Sequence, residues 1–457
     1  VYKRQPVHQP PFQLYPFDFI LRHMETIRPF QIGLLAGFGL IAVVSLILLA
    51  SYQGVGGQVS NPYGSKVVIW GTFEQAAFTE VIQAIGREDR NFQSVSYVQK
   101  DSRSFADELV NAIAEGRGPD LVLLDHENLV SLRPKLQPIS YDIFSTRTLR
   151  DNYVDGFEVF ARSNGLYAVP LFVDPLVMYW NRDLFATGGL ALPPATWESL
   201  VSTAEQLTLR DARRDILQST VAFGEYENVQ DAKGTLLALL LQSGSDLVRE
   251  GATRYEVGID TSSGDTSRRP LFSTLQFFVE FSNVSSPLYS WNRTFDSDLS
   301  AFLGEKLTLY FAYGSESARI RQQNPNLNFD VVGVPQGAGA TVKRTYGRFY
   351  GLAVVAASQN QSGAYQAALK LAADAPTATL SERLGLAPAH RSSLTITPED
   401  PVRQTIFSQA LIARGWLDPD PQASDETFRQ MIEDVVSGRS SVGSAVADTT
   451  RRLELAF

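Results

Sequence analysis

The sequence predicts an α/β protein of two doubly wound lobes, preceded by one transmembrane helix. Three observations carry this reading. An uncharged apolar stretch runs from Ile32 to Ala50. Short apolar runs then alternate with helical patterns in a βαβαβ order from Val67 to Asp125. The same alternation continues over roughly 390 residues, more than one domain of usual size holds.

The apolar stretch is the first element. No charged residue falls between Pro29 and Ser65. Nineteen residues at ~1.5 Å rise span about 28 Å, the thickness of a hydrocarbon core. Arg22 and Arg28 precede the stretch and Lys66 is the first cation after it, so the N-terminus is expected in the cytoplasm and the main body outside. A buried core helix is rarely apolar on every side for this length, and the apolar core of a cleaved signal peptide is shorter. Beyond Ala50, Gly54, Gly56, Gly57, Ser60, Pro62 and Gly64 predict a flexible tether. The expected organisation is therefore a tail over 1–30, an anchor over 31–51 and a linker over 52–65. Val1-Tyr2-Lys3-Arg4-Gln5 match the translation of a sequencing adapter and are expected to be non-native, on a fragment or open-ended translation.

The 457 residues are 44% hydrophobic and 19% charged, ordinary for a packed globular core. A net charge of −9 argues against nucleic acid as a partner. Without cysteine there are no disulfides, no thiol catalysis, no thiolate metal sites and no cysteine-linked lipid.

Val67–Trp70 is apolar and stops at Gly71, a buried strand. A helix is expected over Phe73–Gly86, with Thr72 as its cap. Ser94–Gln99 alternates as a second strand, and Ser102–Glu115 carries Phe105, Leu109 and Ile113 on one helical stripe. Asp120–Asp125 is near-continuously apolar, as a parallel strand covered on both faces should be. Ligands of such lobes sit beyond the carboxyl ends of strands, here Trp70–Glu74 and Asp125–Asn128. Further strands are expected at Gly165–Pro170, Val173–Tyr179, Ser219–Phe223, Lys306–Phe311, Phe329–Val334 and Phe349–Ala356. Helices are expected from Thr196 to Leu207 and over Asn228–Leu241, Leu271–Asn283, Phe295–Leu303, Gln361–Ala373, Val402–Arg414, Phe428–Ser437 and Val442–Leu455. Asp246–Arg269 is polar and reads as a surface hairpin or loop.

Several of these segments together resemble a known family. Gly165-Leu166-Tyr167-Ala168-Val169-Pro170 and Val173-Asp174-Pro175-Leu176-Val177-Met178-Tyr179-Trp180-Asn181-Arg182-Asp183 are similar to the crossover segment of bacterial extracellular solute-binding proteins of family 1, the maltose-binding-like receptors of ABC sugar importers. Trp70–Glu74, Gly118–Val122, Pro194–Leu200, Ala301–Lys306, Phe311–Ser315 and Leu386–Ser392 agree in order, from about Lys66 to the C-terminus. The resemblance implies a periplasmic-binding-protein-like fold of type II, with a ligand cleft between lobes 66–172 plus 352–397 and 173–351 plus 398–457. It implies crossovers near Leu171–Asp174 and Arg348–Leu352, closure by a hinge, and ABC permease subunits as partners.

It also implies site residues, each with a plainer reading beside it. Asp174, an acid in an apolar run, would accept sugar hydroxyls, or would simply turn the chain before Pro175. Asp125 and Glu127 would contact sugar, or Asp125 would cap a helix. Trp70, Thr72 and Glu74 follow the first strand, where Trp70 packs or stacks and Thr72 caps or binds. Tyr226, Asn228, Tyr313 and Ser315 follow strands of the second lobe, where aromatic rings suit the apolar face of a pyranose. Tyr350 lies at the second crossover, in Arg348-Phe349-Tyr350-Gly351, where many sugar-binding relatives carry paired glycines and a tryptophan. Arg391 sits at the rim or in a surface ion pair.

The function these readings support is carbohydrate binding, of an oligosaccharide or polyol, without catalysis. A membrane-anchored glycan-active enzyme, a sensor ectodomain and a receptor for a non-sugar solute stay open as alternatives. His8, His23, His126 and His390 are scattered, and no metal-ligand spacing, nucleophile elbow or phosphate loop is present. No cofactor and no metal is expected.

Overall fold

A computed structural model describes residues 61–64, 66–245, 247–251, 255–262 and 267–457, and only Phe38 of Val1–Ser60. The tail, the anchor and most of the tether lie outside the described residues. No helix among the described residues is long and apolar enough to cross a membrane.

The first strands and helices follow the expected order. β1 (Val67–Gly71) leads to α1 (Gln75–Glu88), β2 (Val95–Gln99), α2 (Phe105–Ala114) and β3 (Leu121–Asp125). β1 pairs in parallel with both β2 and β3. α1 starts later than Thr72 predicts, because the turn before it is held from elsewhere. Tyr97 Oη accepts from the Phe73 N–H at 3.0 Å and donates to the Phe73 carbonyl at 3.1 Å. A side chain at Gly71 would run into that hydroxyl.

β4 (Val169–Asn181) is one unbroken 13-residue strand, buried throughout, where the sequence suggests two pieces. It is followed by α3 (Trp197–Leu207), with the expected Thr196 cap in a reciprocal box with Ser199. Next come β5 (Ile216–Val221) and α4 (Ala232–Gln242), then a hairpin of β6 (Leu247–Glu250) and β7 (Tyr255–Gly258). α5 (Pro270–Val279), α6 (Asp298–Leu303), β8 (Leu307–Tyr313), α7 (Glu316–Gln323) and β9 (Phe329–Gly333) lead to β10 (Thr345–Val355). The C-terminal part is helical: α8 (Gln361–Leu371), α9 (Asp374–Leu384), α10 (Pro401–Ile412), α11 (Pro421–Val436) and α12 (Val442–Ala456). The sequence reading leaves α9 unassigned. Its Pro376 falls in the first turn, where no N–H is needed, and Gly385 ends it in the left-handed region at φ 70°.

The two halves are not separate sheets. One path runs β2-β1-β3-β10-β4-β8-β5, because β4 and β10 each serve both halves. Gly347–Leu352 of β10 pairs antiparallel with Val169–Pro175 of β4, and Tyr350–Val354 continues onto β3. From Leu176 onward β4 pairs instead with β8, and from Val177 with β9 on its other edge. The prolines of β4 sit at irregular points, where a missing N–H costs least. Pro175 stands where β4 changes partner, and Pro170 stands opposite Gly351 beside a bulge at Tyr350/Gly351.

Gly351 fits that bulge only without a side chain: a Cβ there would come within 2.7 Å of the Ala168 Cβ and 3.0 Å of the Val169 carbonyl. Gly351→Ala is expected to destabilise the fold by about 1–3 kcal/mol in urea unfolding. Gly337→Ala, with open space around it, should be near neutral. Equal midpoints for the two variants would contradict the tight packing of β4 on β10.

Candidate functional site

The carboxyl ends of the strands in both halves converge on a cavity of about 570 Å³. Ser102 and Arg103 reach it after β2, and Glu127 after β3. Gln230, Asp231, Lys233 and Gly234 around the start of α4, Tyr313 at the end of β8, and Pro421, Gln422 and Asp425 at the start of α11 line it too. Arg348 of β10 stands between them.

The cavity is dominated by charge. Arg348 lies over Tyr313, its guanidinium carbon 4.0 Å from the ring centroid, and its Nε is 3.9 Å from Glu127 Oε2. The other Glu127 oxygen accepts from Tyr346 Oη at 2.5 Å. Burial opposes the Glu127 charge, but Lys233 and Arg348 outweigh it and hold the carboxyl ionised, below the usual range. Lys233 is itself engaged: Nζ donates to Asp418 Oδ2 at 2.6 Å and to Ser424 Oγ at 2.9 Å. Burial pushes the Asp418 carboxyl up to about 6 against the pull of Lys233.

Of the residues expected at the site, Glu127 and Tyr313 line this cavity and the others do not. Asp174 is 3% exposed and both of its oxygens are taken by Ser315, at 3.1 Å from the backbone N–H and 2.6 Å from the hydroxyl. The pair ties β4 to the start of α7. Asp125 caps the turn after β3 by accepting from the Asn128 N–H at 3.0 Å. Asn228 is locked by the Asn292 and Phe295 carbonyls and by the Trp291 indole. Tyr226 donates to Asp425, a lining residue. Tyr350 packs edge-on against Phe73, 4.9 Å between centroids. Trp70 carries the Lys100 ammonium 3.8 Å from its ring centroid. Thr72 is half-buried and Glu74 exposed in the turn after β1. Arg391 pairs with Asp155, away from the cavity.

The sequence reading passes over Arg348, Asp231 and Lys233 as site residues. A helix assigned from Asn228 absorbs Asp231 and Lys233 into its body, whereas α4 begins only at Ala232. Arg348 had a visible signal: it is a cation inside an otherwise apolar extended run.

A second cavity, of about 500 Å³, is lined by Asp155, Glu158, Glu250, Arg344 and Trp416 among others. Its carboxylates are spent internally: Asp155 on Arg391 and Arg414, Glu158 on Arg150, Glu250 on Arg133 and Arg162. The first cavity is therefore the better candidate for a ligand.

A family model described as bacterial extracellular solute-binding protein matches residues 73–375. The chain belongs to this family. A putative binding protein of Brucella abortus (strain 2308) is 22% identical over 349 residues, 74% of this chain and 76% of the relative. The cyclic alpha-maltosyl-1,6-maltose binding protein from Arthrobacter globiformis superposes with a TM-score of 0.70 at 17% identity, covering 86% of this chain and 98% of that one. The GacH receptor of Streptomyces glaucescens GLA.O, solved unliganded and in complex with acarbose, gives 0.64 at 18% identity, with 85% and 98% covered. At these identities the likeness carries the fold.

In this solute-binding protein a buried histidine joins the two halves beneath the cavity. His126 is fully buried, and its Nδ1 accepts from the Phe349 N–H at 3.2 Å. The ring proton therefore belongs on Nε2, which lies 3.3 Å from Tyr346 Oη. Nε2–H can donate to Tyr346, whose hydroxyl donates onward to Glu127. Gly415 must lack a side chain here, since a Cβ would come within 2.5 Å of Nε2.

Burial lowers the His126 pKa from 6.5 to about 4. Above pH 6.5 the ring is neutral in both folded and unfolded states. As pH falls from 6.5 towards 4, the unfolded chain takes up a proton that the buried ring refuses, so stability is lost. Between pH 7.5 and 4.5 the wild type should lose about 2–3 kcal/mol more than His126→Gln in urea unfolding. Parallel pH profiles would contradict a buried neutral histidine.

Proposed function

We propose that the chain is the extracytoplasmic receptor of an ABC importer. It binds a carbohydrate, an oligosaccharide or polyol, in the cavity around Glu127 and Arg348 and delivers it to permease subunits. The observation that carries the reading is the convergence of ionised, hydrogen-bonding side chains from both halves at the strand ends. Carboxylates and guanidinium groups match the acceptors and donors of sugar hydroxyls, and the Arthrobacter and Streptomyces proteins bind sugars of this kind. The lobes are proposed as 66–172 plus 352–397 and 173–351 plus 398–457, closing on the ligand about β4 and β10. Ile32–Ala50 is proposed as a single-pass anchor, with 52–65 as a tether long enough to let the receptor reach its permease.

An enzyme on the same fold is the second reading. Glu127 is held ionised while burial raises Asp231 to about 7, and two acids pushed apart in this way are what glycoside hydrolysis uses. We favour binding alone, because Glu127 already accepts from Tyr346 and faces Arg348.

The test is thermal unfolding of the full chain against acarbose, maltotetraose, monosaccharides and polyols. At least one should raise the melting temperature, and Arg348→Ala should weaken its binding tenfold or more. Stabilisation only by polyamines, peptides or metal ions would overturn the carbohydrate assignment. Turnover of a sugar substrate would overturn the binding-only reading.

A further inference from the structure

Among the described residues, no hydrogen bond satisfies the Asp231 carboxylate. It stands just before α4, where an aspartate ordinarily caps. Its φ of −115° and ψ of 37° depart from cap geometry, and no backbone N–H reaches its side chain. The residue is 8% exposed, and Oδ2 is buried with no partner. Burying a carboxylate this way is costly, so such a group usually has a use.

The surroundings make the cost plain. Burial is the largest influence on this carboxyl. Arg348 on β10 attracts its charge, while Asp298 on α6, Glu316 on α7 and Asp174 on β4 oppose it. The net effect raises the carboxyl to about 7. Asp231 lines the cavity together with Arg348.

Arg348 is the complementary half. Its guanidinium sits over Tyr313, and the nearest carboxylate, Glu127, is 3.9 Å away. Among the described residues its N–H groups make no hydrogen bond within the protein, and 37% of the side chain is open. Arg348 also covers a face of Tyr313, the only aromatic ring among the described residues that line the cavity. The face of Trp70, another ring expected to stack on sugar, carries Lys100.

We propose that Asp231 and Arg348 form the pair that reads the ligand, and that the cavity takes a compact polyhydroxylated molecule held by hydrogen bonds. Asp231 accepts from one ligand hydroxyl and Arg348 donates to a neighbouring ligand oxygen. A monosaccharide, disaccharide or polyol meets this need. A glucan chain, which wants open aromatic faces, does not. The proposal rests on the carbohydrate reading above and names the ligand class within it. It also sets a pH dependence. A hydroxyl donated to Asp231 favours the ionised carboxylate, so binding below neutrality must first expel a proton.

The test compares the full wild-type chain with Asp231→Asn and Arg348→Lys, using glucose, maltose, mannitol and maltotetraose as probes. One of the three small probes should bind the wild type more tightly than maltotetraose, and about thirtyfold more tightly at pH 8 than at pH 5.5. Asp231→Asn should bind at least tenfold more weakly at pH 8 and lose the pH slope. Without ligand it should melt higher than the wild type, by a margin that grows from pH 5.5 and levels off towards pH 8, because the unfolded chain gives up a proton that the folded carboxyl keeps until about 7. Arg348→Lys, which keeps the charge but not the planar fork, should bind more weakly with its pH slope intact. Tighter binding of maltotetraose, or unchanged binding by Asp231→Asn, would overturn the proposal. If no sugar binds the wild type, the carbohydrate reading fails. The ligand-free melting series then decides the Asp231 claim alone, and a lower melting temperature for Asp231→Asn than for the wild type, or a difference between the two that does not change with pH, would overturn it.

Discussion

The antiparallel pairing of β4 with β10 is the constraint on which the rest of this molecule depends. Two strands carry both halves of the sheet, each changing partners part-way along. Because every residue of β4 is buried, its register is strongly specified: a slip of one residue would turn its side chains onto the opposite faces. The irregularities in this pairing fall at Pro170, Pro175 and Gly351, the residue types that tolerate them. The same register sets Arg348 opposite Asp174 and Tyr350 opposite Asp125. The site is therefore a consequence of strand pairing before it is a consequence of loops.

The cavity that results is a compromise between desolvation and pairing. Glu127 stays ionised because Lys233 and Arg348 offset its burial. Lys233 is anchored by Asp418 and Ser424, so it acts as a fixed charge. His126 stays neutral because burial disfavours its charge, and its Nδ1 accepts from the Phe349 N–H. Asp231 is the group this arrangement leaves unsatisfied. A buried carboxylate without a partner and an open guanidinium lining the same cavity suit a ligand with both donors and acceptors, which is the basis of the proposal.

Much of the fold was legible in the sequence because its signals are local. The near-continuous apolar run at Leu121–Asp125 and the Thr196 cap each need only neighbouring residues to be read. The continuity of β4 was not legible, since Pro170 and Pro175 look like breaks until the partner strands are known. The site was legible in part. Glu127 and Tyr313 could be placed by the rule that ligands lie beyond strand ends. Asp174 and Ser315 were both suspected separately, but only the fold shows that they bind each other across 141 positions. Asp231 was hidden by a helix boundary misplaced by four residues, the least reliable feature of such a reading.

The most direct test is a crystal structure of the chain grown with a saturating small sugar or polyol. Ligand density in contact with Glu127, Asp231 and Arg348, between the strand ends of the two halves, is the expected result. Ligand density in the other cavity, against Arg344 and Trp416, with the space around Arg348 left to solvent, would contradict it.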